Sequence, residues 1–237
     1  TPEKAAAFLL DRGLLTPFQV DQLRYGGTRL VLGQYHILDE LGRGAFGCVY
    51  KARHCLMDRL VALKVISPSL IENQRARSNF RREVLATTRL NHPNIVLAYD
   101  ANEVDDTLFF VMEYVDGMNL HQLVQKHGPL SIRLACELLI QACLGLQYAH
   151  EQGLVHRDIK PPNLLVPRQA VAKVAGHSAL LELGATPVLV KVVDFGLARL
   201  VAAPSGASMS QSECGFLGTP AYVAPEAVTD PSTIGAS

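Results

Sequence analysis

The pattern Gly42-Arg43-Gly44-Ala45-Phe46-Gly47 constrains this chain more than any other stretch, because of what flanks it. A G-x-G-x-x-G that opens a helix is a dinucleotide fingerprint. Here Tyr35 to Leu41 precedes and Cys48 to Arg53 comes after, both β-branched or alternating runs, so the glycines fall between two strands. Bare backbone at such a turn can lie over phosphates as a flap. An ordinary Gly-rich hairpin carries the same local pattern, so the stretch does not decide the matter alone.

Seventeen residues after Gly47, Lys64 sits inside a third apolar run, Leu60 to Ile66. A buried ammonium needs a partner, because its desolvation otherwise costs several kcal/mol, about the scale of a buried unpaired charge. The next helix, expected over 75–90, offers Glu83 among the apolar positions Phe80, Val84, Leu85 and Leu90. Two more strands are expected at Ile95 to Tyr99 and Leu108 to Met112, and Glu113 to Gly117 leaves the sheet as a connector. Ser131 is placed to cap a long helix running to about Gln152, with Leu134, Leu138, Leu139, Ala142 and Leu146 as its core stripe and Cys136 and Cys143 packed among them. Ahead of the sheet, residues 1–33 form a helical preface in which Thr16-Pro17 caps and opens a helix over Phe18 to Leu23.

The long helix delivers the chain to His156-Arg157-Asp158-Ile159-Lys160-Pro161-Pro162-Asn163. This loop gathers a carboxylate that can take a hydroxyl proton, a cation and an amide that can ligate a metal, a grouping suited to phosphoryl transfer. Lys plus Arg (22) cancels Asp plus Glu (22), so no bulk field argues for nucleic acid or an anionic membrane, and any phosphate site is local. Five cysteines, Cys48, Cys55, Cys136, Cys143 and Cys214, lack C-x-x-C spacing, which points to reduced thiols and a cytoplasmic location rather than disulfides or zinc. No apolar run reads as a membrane-spanning length.

With these residues in order, the chain resembles the eukaryotic-like (Hanks-type) serine/threonine protein kinases over Tyr35 to about Pro231. The resemblance rests on LGRGAFGCV, VALKV, the helix Glu83, HRDIKPPN, Asp194-Phe195-Gly196 and GTPAYVAPE from Gly218 to Glu226. The preface, F-R-R-E-V and A-Y-D-A are similar to bacterial, planctomycete-type members. The resemblance implies an α+β, two-lobed fold: an antiparallel sheet with one helix over 34–114, and a mostly helical lobe over 115–237 with an insertion about 167–187, after the extension 1–33. It implies ATP and Mg2+ as cofactors, protein substrates, and self-association as a route to phosphorylation between copies. The rival reading is a pseudokinase-like nucleotide-binding scaffold without transfer.

The resemblance also implies roles by position. Gly42, Gly44 and Gly47 would cover the phosphates, and Lys64, paired to Glu83, would contact them. Leu41, Val49, Ala62 and Leu165 would sandwich adenine, with Met112 as gatekeeper and Glu113 and Val115 giving hinge bonds. Asn163 and Asp194 would hold the metal; Asp158 would orient the acceptor hydroxyl and Lys160 would neutralise the γ-phosphate. Arg157 would await a phosphate on the activation segment, with Ser210 or Ser212 as the sites among Ser205, Ser208, Ser210 and Ser212.

Three departures stand out. The segment between Asn163 and Asp194 is longer than the family's usual hairpin, and Pro167 to Pro187 is expected to form a short amphipathic helix or a hairpin. Asn119 and Pro162 replace carboxylates that many basophilic kinases carry, so weak selectivity for basic substrates is expected. Only eleven residues come after Glu226, too few for the helices that close the larger lobe, so this stretch is expected to be a piece of a longer protein or a truncated gene product, unstable alone. Cys48 either faces the phosphates or is a packed thiol.

Overall fold

The computed structural model describes residues 1–26, 30–44, 46–71, 74–175, 190–195 and 220–222. The chain divides into two units, Thr1–Asn73 with Ala98–Tyr114, and Gln74–Leu97 with Val115–Ser237. The class is α+β, with sheet dominating the first unit and helix the second.

In the first unit, β1 (Val31–Leu32), β2 (Tyr35–Gly44), β3 (Gly47–His54), β4 (Arg59–Ile66), β5 (Ala98–Val104) and β6 (Thr107–Glu113) form one antiparallel sheet. Its strand order is β1-β2-β3-β4-β6-β5. Alternation sends Tyr35 and Ile37, Tyr50 and Ala52, Val61 and Leu63, and Phe109 and Val111 into one apolar cluster. The strand expected from Ile95 starts instead at Ala98, because Ile95 is drawn into a parallel bridge with Val192.

The preface forms α1 (Pro2–Asp11) and α2 (Pro17–Arg24). Thr16 caps α2 as expected: its hydroxyl accepts from Gln19 N at 3.2 Å while Gln19 Oε1 accepts from Thr16 N at 2.9 Å. Gln19 and Val20 are buried, and Phe18 tilts against Tyr50 with ring centroids 6.1 Å apart.

The second unit contains α3 (Gln74–Thr87), α4 (Leu120–His127), α5 (Ile132–Glu151) and α6 (Arg168–Ala175). A small antiparallel sheet joins β7 (Gly117–Asn119), β8 (Leu164–Pro167) and β9 (Lys191–Val192). The Ser131 hydroxyl caps α5, accepting from Leu134 N at 3.3 Å. Leu138, Ala142, Gly145 and Ala149 form the buried stripe of α5 at helical spacing. Gly145 permits a close approach there, since a side chain would begin 3.0 Å from the Asn94 carbonyl oxygen and that neighbour would have to give by a few tenths of an ångström.

Three expectations about α5 are corrected. Leu139 is exposed, and so are Cys136 and Cys143, because they lie off the buried stripe. The helix is also long and apolar enough, by length and composition, to cross a membrane. Its apolar residues run around most of its circumference, which hides the true stripe in the sequence. The expected insertion opens with α6, which buries Ala170 and Val171 in the apolar cluster of this unit, so its first turns are part of the core. Residues 176–187 lie outside the described residues.

Candidate active site

The flap is the β2–β3 hairpin, with Gly44 opposite Gly47 and Gly42 opposite Val49; Ala45 lies outside the described residues. Its glycines are not equivalent. At Gly47, φ is +129° and a side chain would begin 1.9 Å from the Val65 carbonyl oxygen, so only glycine fits. Gly42 and Gly44 have nothing within 4 Å of that point, which leaves their backbone open to a ligand. Arg43 grips Glu40 through two hydrogen bonds, Nη2 to Oε2 at 2.7 Å and Nε to Oε1 at 3.2 Å, and this holds the Glu40 carboxyl below the usual carboxylate range. Cys48 is buried in the cluster beneath, its thiol donating to the Gly42 carbonyl at 3.4 Å, and burial pushes that thiol up. The packed-thiol alternative therefore holds.

Lys64 lies in β4, opposite Val49 and Phe110, and is only 4% exposed. Its ammonium stands 5.6 Å from the centre of the Phe46 ring. Ala62 and Met112 are buried and face one another across β4 and β6, with Glu113 opposite Val61. Leu41 is exposed on β2. In the second unit, Val115 lies just past the boundary and Leu165 lies in β8 opposite Asn119 and Lys191. Glu83 is half-buried on α3 beside the buried Phe80, Val84 and Thr87, whereas Leu85 points outward, contrary to expectation.

The His156–Asn163 loop is braced side chain to side chain. Lys160 Nζ lies 2.8 Å from Asp158 Oδ2, both groups largely shielded. Asn163, in a short 3-10 turn over Pro161–Asn163, donates from Nδ2 to the same oxygen at 3.1 Å and to the Asp158 carbonyl at 2.7 Å. Both side-chain contacts use Oδ2, which leaves Oδ1 for a hydroxyl. Asn163 Oδ1, with its amide nitrogen so employed, is the atom that can face a cation.

Asp194 comes to this loop just past β9, in a segment held at several points. Val193 N donates to the Asn163 carbonyl at 3.0 Å, and the Val193 carbonyl accepts from His156 Nε2 at 2.7 Å. Asp158 N donates to His156 Nδ1 at 3.2 Å, so that nitrogen is the acceptor and Nε2 carries the proton. Burial lowers the His156 pKa, opposed by the Val193 carbonyl and by the charges of Asp194 and Asp158. Phe195 closes edge-on over the imidazole at 4.7 Å. Arg157 and Asp194 both occupy left-handed backbone, φ 67° and 66°, a strained conformation for non-glycine residues.

Three bracing residues were not assigned from sequence. His156 belonged to the motif without a role. Asn94 Nδ2 donates to the Val190 carbonyl at 2.9 Å, and Gln141 Oε1 accepts from Val190 N at 3.0 Å, fixing the chain at the start of β9, which leads to Asp194. Asn119, singled out as a missing carboxylate, caps α4 by accepting from Gln122 N at 2.8 Å. Arg157 lines a cavity of about 290 Å³ with Arg82, Glu83, Ala86, Arg89 and the 152–155 turn. Gly196 and the serines 205–212 lie outside the described residues.

The protein kinase domain profile matches residues 35–237. This chain belongs to the protein kinase family. It is 35% identical over 197 residues to the serine/threonine-protein kinase pkn3 of Myxococcus xanthus, covering 81% of this chain and 33% of that protein. It is 36% identical over 197 residues to the serine/threonine-protein kinase PknB of Mycobacterium tuberculosis, covering 81% and 28% respectively. Among solved structures, the Mycobacterium tuberculosis PknI kinase domain matches with a TM-score of 0.56 at 30% identity, over 70% of this chain and 61% of that one. The chain thus spans about a third or less of the length of these curated relatives. Its kinship is with bacterial serine/threonine kinases, as the resemblance implied.

Proposed function

We propose that this chain transfers the γ-phosphate of ATP, with Mg2+, to serine and threonine hydroxyls of proteins. One observation carries the reading: a single carboxylate oxygen of Asp158 is held by both Lys160 and Asn163, and its other oxygen takes part in neither contact. That oxygen orients the acceptor hydroxyl and takes its proton, and Lys160 offsets charge on the phosphoryl group. Asn163 Oδ1 and the Asp194 carboxylate are hard oxygen donors of the kind Mg2+ takes alongside phosphates. When bound, that ion supplies charge neutralisation on the phosphates. As the family resemblance implies, Gly42, Gly44 and Gly47 would cover the phosphates and Lys64 would contact them, with Glu83 as the partner the family assigns to that lysine, and Leu41, Val49, Ala62, Met112, Glu113, Val115 and Leu165 would receive the adenine.

Regulation belongs to the same proposal. Phosphorylation of Ser210 or Ser212 would be read by Arg157, and the guanidiniums of Arg82 and Arg89 in the same cavity favour an anion there. Phosphopeptide mapping of active protein that finds neither serine modified would remove this part.

Thermal shift with Mg-ATP, run beside radiolabelled transfer to a generic basic protein, tests the function. A raised Tm with transfer is expected; a raised Tm without transfer identifies a nucleotide-binding scaffold.

A further inference from the structure

The helical preface lies ahead of residue 35, where the family match begins, yet its side chains bond directly to the strand that becomes the flap. β1 covers β2 only at Tyr35 and His36, so the outer edge of β2 is open beyond that point. Ile37 turns both main-chain groups to this edge: its N–H donates to the Leu30 carbonyl at 2.9 Å, and its carbonyl accepts from Gln19 Nε2 at 2.8 Å. The Leu38 carbonyl accepts from the Thr16 hydroxyl at 2.5 Å. Leu38 is the extra residue of a bulge, since Ile37 pairs with Ala52 and Asp39 with Lys51. A bulge bends its strand and increases its twist, and so sets where the strand points afterwards. A second register shift, at Leu41 between Glu40 and Gly42, comes after this bend, and Gly42 and Gly44 lie on β2 beyond both.

We propose that α2 is a positioning element for the flap, with Gln19 and Thr16 fixing the bulge at Leu38 and through it the aim of Gly42–Gly47 over the nucleotide phosphates. Gln19 is 8% exposed, so its donor is spent on Ile37 rather than on solvent. The capping box locks Thr16 and Gln19 to one another, so the two contacts act as a unit. The inference rests on the nucleotide reading of the flap and adds regulation to it: anything that displaces α2 weakens nucleotide binding without touching the nucleotide.

The test uses the full chain, Gln19→Leu and Thr16→Val, with Thr16→Ser as the conservative rescue. Hydrogen exchange without nucleotide should rise about tenfold over residues 38–48 while β4 and β6 keep their protection, as expected of a local opening. The KM for ATP should rise about three- to tenfold with kcat within about twofold, and Thr16→Ser should restore both readouts. Exchange that rises uniformly through the sheet, or a lowered Tm with unchanged KM, would overturn the proposal by reducing α2 to a structural prop. Local flap loosening in a protein that binds no ATP would uphold the mechanical coupling and defeat the nucleotide reading instead.

Discussion

In the flap, Gly42 and Gly44 have no atom within 4 Å of where a side chain would begin; in the His156–Asn163 loop, Asp158, Lys160 and Asn163 bind one another through their side chains. The flap offers backbone and is shaped from outside, by the bulge beneath it and by α2. The loop offers side-chain atoms and is shaped from within, by His156 and Asn163, with the segment bearing Asp194 tied to it at Val193. The difference teaches where substitutions should act. Changes around the flap should move nucleotide affinity, and changes in the loop should move turnover or the stability of the loop itself.

Lys64 gives the largest expected effect on the sheet side. Lys64→Met leaves an apolar strand intact but removes the phosphate contact proposed for Lys64, so kcat/KM should fall about 10³-fold, with both affinity and turnover damaged. Steady-state kinetics checks this, and a change confined to turnover would blur the contrast.

Gly47→Ala should come next, destabilising by about 2–4 kcal/mol, because strain at its φ adds to collision with the Val65 carbonyl. Denaturant unfolding measures it.

His156 tests the loop by pH. Its pKa is lowered on folding, so the unfolded chain binds the extra proton: the stability it contributes is fully present above the ordinary value of 6.5 and is lost as pH falls below 6.5 toward the folded pKa. Unfolding curves should show that acid-side slope, and His156→Gln should flatten it.

The smallest effect is expected at Gly42→Ala, within about 0.5 kcal/mol in stability while nucleotide affinity weakens. A large loss of stability there would show that Gly42 serves packing, as Gly47 does.

Much of this contrast was legible in the chain itself. Glycines leading into a strand marked the flap, an in-strand lysine singled out Lys64, and the spacing of Asp158, Lys160 and Asn163 brought them into one loop. Thr16 and Ser131 announced their helices because capping is local chemistry. What escaped was long-range or ambiguous in period. Asn94 and Gln141 meet Val190 across 96 and 49 residues, and no local pattern encodes such a meeting. The stripe of α5 was misread at Leu139, Cys136 and Cys143 because apolar residues surround that helix. The bulge at Leu38, and with it the role of α2, depends on the first of two register shifts along β2 that alternation does not reveal.

The most direct test is single-turnover phosphoryl transfer by Asp158→Asn at saturating Mg-ATP, with nucleotide affinity measured on the same protein. Transfer should fall about 10³-fold while affinity stays within about threefold, since the amide keeps the shape and loses the base. Transfer at the unaltered rate would contradict the assignment of Asp158, and with it the account of the loop.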